Sequence, residues 1–221
     1  MANVKLISYT QPPYPMETLT DLVAYCARVS NPSNQLNNET SDKLINYLMD
    51  HKHWSPLEMV NVCLELNTTR DIAHQIVRHR SFSFQEFSQR YADPQAMGDM
   101  FVVREARMQD KKNRQNSTQL DMNNPLHDKW IKRQLTVRAL AEETYNWAIH
   151  NGIAKEQARV VLPEGLTKSK LYMNGTLRSW VHYVDLRTTK GTQKEHLELA
   201  KECGEIIKKL FPVMNKFIHS C

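Results

Sequence analysis

Between Met59 and Asn67 the hydrophobic period of this chain changes, and that change limits the folds open to it. Val60, Val62, Leu64 and Leu66 alternate with Asn61, Cys63, Glu65 and Asn67. This is the period-two pattern of a strand with one face buried. The segments around it carry a helical period instead. A chain built this way must lay helices against a small sheet, so an α+β fold with more helix than strand is expected.

The helical segments can be placed in turn. One starts near Thr18 or Thr20 and runs to about Ser30, with Leu22, Val23, Cys26 and Val29 on one side. Asn31 to Asn38 reads as a polar loop. Ser41 is the expected N-cap of a second helix carrying Leu44, Ile45, Leu48 and Met49 and ending before Ser55-Pro56. Thr69 opens a third through Ile72, Ala73, Ile76 and Val77. The longest pattern, Leu126 to about Asn151, carries Trp130, Ile131, Leu135, Leu140, Ala141 and Ala148, with Gly152 at its C-terminal cap. A short helix spans Ala154 to Val161, and Gly175 to Arg187 is helical again, with Leu177, Trp180, Val181 and Val184 on the apolar side. Thr192 and Glu195 have capping-box spacing ahead of a last helix through Leu199, Cys203, Ile206, Ile207 and Leu210. From Ala92 to Pro125 the chain is strongly polar, with FVVREAR its one strand-like piece. It reads as a surface loop or flap, ordered only where a partner or neighbour covers it. No repeat or boundary divides residues 1–221, so a single domain is expected.

Composition excludes whole classes. Lys and Arg number 29 against 24 Asp and Glu, giving a net charge of +5. Apolar residues make up 41%, too many for a disordered chain. No run approaches the roughly 18 apolar residues that span a bilayer, and no signal-peptide pattern opens the chain. Cys26, Cys63, Cys203 and Cys221 are scattered, so neither a disulfide framework nor a cysteine zinc site is expected. A cytoplasmic protein without a membrane partner follows. The basic balance suits an anionic substrate or a nucleic acid and does not choose between them.

Chemistry-bearing residues concentrate in Arg78 to Tyr91, where three arginines, a histidine, a glutamate and three serines fall within fourteen residues. Gln75, Arg78 and His79 share one face of the preceding helix by their i, i+3, i+4 spacing. Arginine forks suit phosphates and carboxylates. Taken alone, the cluster is equally readable as a solvated charge patch interleaved with core phenylalanines. Ser88 has no clear base beside it to make it a nucleophile. His51, His53, His74 and His79 lack the i, i+4 spacing of a helical metal site, so no metal is expected. Arg28 reads as structural, and Tyr91, Trp147 and Trp180 as packing residues. No G-x-G-x-x-G follows a strand, which argues against a Rossmann mode of dinucleotide binding.

The spacing of the cluster resembles a family signature. Arg78-His79-Arg80, seven residues, then Ser88 resembles the RHR-x7-S motif of the flavin-dependent thymidylate synthases, the ThyX family. ARVS (Ala27 to Ser30), HWSPLEM (His53 to Met59), QARVVLP (Gln157 to Pro163) and LRSWVHYVDLR (Leu177 to Arg187) resemble further family blocks in family order. The resemblance implies a helix-rich fold with a small, mostly antiparallel sheet. It also implies a homotetramer that methylates dUMP to dTMP with FAD, NADPH and methylenetetrahydrofolate. It places dUMP on Gln75, Ile76, Val77, Arg78, Glu86, Phe87, Ser88, Gln89 and Arg90, with Arg159 and Arg187 as further contacts. It places FAD on Ser30, His53, Ser55, Arg78, His79, Arg80 and Glu86, and on Thr176, Leu177, Arg178 and His182. Some members carry Asn where this chain has Thr176 and His182, and Asn is common at Gln85.

On this reading Arg187 is the catalytic residue. It stabilises charge developing on the uracil ring, and C5 reacts without covalent attachment to the enzyme. The alternative is a basic module that tracks single-stranded nucleic acid by charge and stacking, against which stand the modest charge and the dispersed basic residues.

Overall fold

The computed structural model describes residues 3–216, so Cys221 lies outside the described residues. The alternating segment is the centre of the fold. Strand β2 (Asn61–Thr69) lies between β1 (Val4–Tyr9) and β6 (Lys168–Thr176), and β3 (Phe82–Glu86) adds on the far side of β6. All three pairings are antiparallel, with Leu64 opposite both Leu6 and Met173, and Phe84 opposite Met173 on its other side. Val62, Leu64 and Leu66 are fully buried, as are Leu171 and Met173 beside them. Their shared face carries α1 (Leu19–Ala27), α6 (Leu177–Arg187) and α7 (Lys194–Leu210), with α2 (Ser41–Asp50) packed on α1. The fold is α+β.

Local chemistry sets the element ends. Thr18 caps α1 through a complete capping box with Asp21. The helix stops at Ala27 and leaves Val29 exposed, because Arg28 turns inward. Its guanidinium donates to Asn37 O (2.5 Å) and Thr40 Oγ1 (2.8 Å), tying down the polar loop, so the structural reading of Arg28 holds. Thr40, not Ser41, is the N-cap of α2. Gly175 and Thr176 belong to β6 rather than to the helix. Gly175 pairs with Val62 and with Phe82, and a Cβ there would stand 2.3 Å from the Phe82 ring. Thr176 then caps α6, its Oγ1 accepting from Ser179 N (3.2 Å). The Thr192 capping box does not form. Gln193 is the cap, and the Glu195 carboxylate is engaged by Arg107 and Gln193 instead.

The polar insert is ordered by its own contacts. Strands β4 (Arg107–Gln109) and β5 (Ser117–Gln119) make a hairpin whose turn is organised by Asp110. The Asp110 carboxylate accepts from Lys112 N (2.8 Å), Asn113 N (3.1 Å) and Asn116 Nδ2 (2.9 Å). The FVVREAR segment is not a strand beyond one bridge between Phe101 and Thr167 and the first residue of β4. Side chains hold it instead. Phe101 is buried with Tyr145 and Ala141, and Arg104 forks onto Asp71 (2.8 Å to each oxygen). Helix α4 (Pro125–His150) is capped by Asn124, and α5 (Lys155–Ala158) follows. Tyr91 and Trp147 do not pack within the chain, being 82% and 61% exposed, whereas Trp180 is fully buried and donates to Val62 O (3.0 Å).

Candidate active site

The arginine-rich segment is a tight turn between α3 (Arg70–Ile76) and β3. Buried Ile76 anchors its start and buried Phe82 its end. His79 N donates to Ile76 O (3.0 Å) and Phe82 N to His79 O (3.2 Å), while Ser179 of α6 donates to Ser81 O (3.2 Å). Held at both ends, the turn points His79 inward and leaves Arg78 and Arg80 exposed. Neither of these arginines has an ion-pair or hydrogen-bond partner among the described residues.

Arg187 meets the turn from the end of α6. It follows Trp180 and Val184 at i+7 and i+3, so it continues the buried face of that helix rather than its wet side. Its Nε donates to His79 Nε2 at 2.9 Å, which requires His79 to be an acceptor there. Burial, reinforced by the Arg187 charge, pushes His79 down to about 4, so the ring is neutral near pH 7. The two Nη groups of Arg187 carry no partner among the described residues. The Tyr183 ring meets His79 edge-on at 5.0 Å, and Tyr183 Oη lies 3.1 Å from His196 Nε2. His196 is fully buried and is pushed down to about 3 by burial and by the Arg187 and His79 charges.

The other expected residues fall into separate groups. Gln75 is spent inward, its Oε1 on His196 (3.1 Å) and its Nε2 on Gln193 (2.8 Å), and Val77 is exposed beside it. Glu86 is engaged by Ser169 and Arg70, its Oε1 accepting from Ser169 Oγ (2.6 Å) and Arg70 Nη1 (3.3 Å). Phe87 N is tied to Lys170 O (2.8 Å). Ser88 Oγ accepts from Arg90 N (3.4 Å) and hydrogen-bonds to no His, Asp or Glu side chain among the described residues. Gln89 is 3% exposed, yet its Nε2 has no partner among the described residues. Arg90 and Tyr91 touch α5, through Arg90–Glu156 (3.5 Å) and Lys155 Nζ to Tyr91 O (3.2 Å). That contact brings half-buried Arg159, at the end of α5, toward Ser88 to Arg90.

A third group surrounds the other end of α6. His53, Ser55, Trp54, Ala27 and Arg178 line a cavity of ≈ 450 Å³. The Trp54 and His182 rings meet edge-on at 4.8 Å, and Arg178 pairs with Glu58. Burial and the Arg178 charge lower the His182 pKa, against the opposing pull of Asp185. Ser30 is exposed just beyond Ala27. Thr176 is a helix cap, and Leu177 is wholly buried, with its N–H on Val60 O (2.9 Å). Arg178 and Arg187 are nine residues apart on one helix, about 14 Å along its axis. Larger cavities, of ≈ 570 and ≈ 950 Å³, lie at the insert hairpin and along the outer side of the sheet, and none of the residues from Arg78 to Arg90 lines them.

Sequence reasoning gave no role to Tyr183, Gln193 and His196, and read Glu195 only as a capping-box residue. A signal existed for His196, which continues the apolar stripe of Leu199, Ala200 and Cys203 on α7.

Open guanidinium donors at Arg78, Arg80 and Arg187, set around an α+β sheet, are the donor chemistry of an anion-binding class of protein. The family model for thymidylate synthase complementing protein matches residues 5–213. A probable flavin-dependent thymidylate synthase of Paramecium bursaria Chlorella virus 1 is 49% identical over 217 residues, 97% of each chain. A flavin-dependent thymidylate synthase of Synechocystis is 44% identical, over 96% of this chain and 97% of that one. Among solved structures, a UMP/dUMP methylase of Streptomyces cacaoi bound with 5-Br dUMP superposes with a TM-score of 0.82. It is 26% identical, with 96% of this chain and 92% of that chain covered. The chain belongs to the thymidylate synthase complementing protein family, in which these relatives carry the name flavin-dependent thymidylate synthase.

Proposed function

We propose that the protein methylates dUMP reductively to dTMP, with methylenetetrahydrofolate as one-carbon donor, NADPH as reductant and FAD as cofactor. The observation that carries this reading is Arg187. Its Nε is committed to a neutral His79, so the guanidinium plane is fixed while its two Nη groups remain open. A planar pair of donors matches the in-plane edge of a uracil ring and stabilises negative charge developing there. Arg90, Arg159 and the Ser88 hydroxyl hold the dUMP phosphate, and the unpartnered Gln89 amide supplies a buried donor beside them. Ser88 binds and does not attack, since no base activates it.

The residues present fit a flavin dinucleotide. Arg78 and Arg80 are exposed and unpartnered, as donors to a pyrophosphate need to be, and the cavity at His53 and Arg178 offers ring edges and charge. Bound there, FAD supplies two-electron transfer, while the protein supplies orientation and electrostatics.

Assembly belongs to the same reading. Leu126, Trp130, Val137, Leu140 and Trp147 are all exposed on α4 at spacings of 4, 7, 3 and 7, a coiled-coil seam left open. Tyr91, Val160 and Leu186 are exposed beside Arg90, Arg159 and Arg187. We read the protein as a homotetramer with FAD and dUMP at subunit interfaces. Each chain, 1–221, acts as one domain, in the cytoplasm, where the free thiols of Cys26, Cys63 and Cys203 suit a reducing compartment. Sedimentation with absorbance at flavin wavelengths tests this. A yellow tetramer is expected, and a flavin-free monomer in the presence of FAD would overturn it.

A further inference from the structure

A line of hydrogen bonds, buried at Tyr183 and His196 and half-buried from Gln75 outward, connects the insert hairpin to the Arg187 site. Tyr183 donates to His196 Nε2 (3.1 Å), and His196 Nδ1 donates to Gln75 Oε1 (3.1 Å). Gln75 Nε2 donates to Gln193 Oε1 (2.8 Å), and Gln193 Nε2 to Glu195 Oε2 (3.0 Å). Arg107 of β4 closes the line by donating to Glu195 Oε1 (2.5 Å). Its direction is forced. A carboxylate only accepts, so Gln193 must present its amide N–H to Glu195, which fixes the Gln193 and Gln75 amides, the His196 tautomer and the Tyr183 hydroxyl in turn. Burial raises the pKa of Glu195, but Arg107, by hydrogen bond and charge, outweighs it and keeps the carboxyl below its ordinary range. At the inner end, the Tyr183 ring abuts His79, the acceptor on which Arg187 rests.

We propose that Glu195 is a positioning residue for Arg187, setting the direction of a relay through Gln193, Gln75, His196 and Tyr183 that holds the His79 ring. This rests on the role given to Arg187 above. It also gives the insert a task, because Arg107 anchors the outer end, and Lys194 links the same end to Glu105 of the insert (2.7 Å). Satisfied polar chains in a low-dielectric interior polarise one another, so loss of the terminal anion is felt along the line.

Glu195→Gln is the perturbation. It preserves shape, its side chain is 25% exposed in the first turn of α7, and it removes the fixed acceptor. The variant should lose roughly 2- to 30-fold in kcat, the span of coupling through such networks, with KM for dUMP unchanged. Tyr183→Phe, which keeps the ring and removes the inner donor, should behave alike. Because both act through one line, Glu195→Gln should cost nothing further in the Tyr183→Phe background. Amide exchange of the whole protein without substrates gives a second readout. Glu195→Gln should speed exchange in 75–80 and 183–187 as well as at the start of α7. Additive losses, an unchanged kcat, or exchange confined to the α7 terminus would each overturn the relay. If the wild-type protein forms no dTMP, the functional reading fails, while the exchange pattern still decides the relay.

Discussion

Arg187→Lys separates charge from geometry at the site. Arginine has five N–H donors in one plane, and one of them, on Nε, is spent on His79 at 2.9 Å, leaving four on the open Nη edge. Lysine has a single nitrogen. If its ammonium reaches His79 Nε2, no planar fork is left for a uracil edge, and if it turns to the ring, His79 loses its donor. Attraction for the anionic nucleotide survives either way, so dUMP affinity should fall by less than about tenfold. The loss falls on the transition state, where removing one well-aimed donor to a developing oxyanion costs on the order of 100- to 1,000-fold in rate. Pre-steady-state turnover, with dUMP affinity from calorimetry, reads the two effects apart. The competing account makes Arg187 a helix C-terminal cation, worth about 0.3 to 1 kcal/mol of stability and nothing in catalysis. A kcat equal to wild type in Arg187→Lys would establish that account and refute ours.

Two further outcomes follow from the packing and the buried histidines. Gly175→Ala puts a methyl 2.3 Å from Phe82 Cδ1, in a ring already wedged against Trp180 at 4.9 Å, so about 1–3 kcal/mol should be lost. Phe82→Leu should recover part of it, and additive losses in the double variant by urea unfolding would contradict the clash. His79 and His196 are held at about 4 and about 3, below the unfolded value near 6.5. The unfolded chain therefore binds more protons as pH falls from about 6.5 toward 4, and stability drops through that window by at most about 2.7 kcal/mol per pH unit for the pair. Urea midpoints at pH 7, 6 and 5 should fall in order. Equal midpoints would mean that neither ring is buried neutral.

What was legible in the sequence divides along physical lines. β2 was readable because its inward residues are all large and apolar. β6 was not, because its inward residues are Ser169, Leu171, Met173 and Gly175, and only two of those announce a core. Gly175 read as the start of a helix for the same reason, since nothing local shows that it must admit the Phe82 ring. Phe82-Ser83-Phe84 did alternate, but it sat inside a run of charge that drew attention to chemistry instead. The signature residues were found by spacing. Their division into an inward His79 and outward Arg78 and Arg80 needed the turn geometry, and the proposed relay needed four distant segments brought together. The α4 stripe was correctly seen as apolar and helical, yet Trp130, Leu135 and Leu140 are exposed while Ala141 and Ala148 are buried, a distinction helical periodicity does not carry.

The most direct test of the central claim is product formation by the purified protein. Loaded with FAD and given dUMP, methylenetetrahydrofolate and NADPH, it should release dTMP and oxidise NADPH, and omission of any one component should stop dTMP formation. Stoichiometric flavin binding without dTMP formation in the complete mixture would contradict the account.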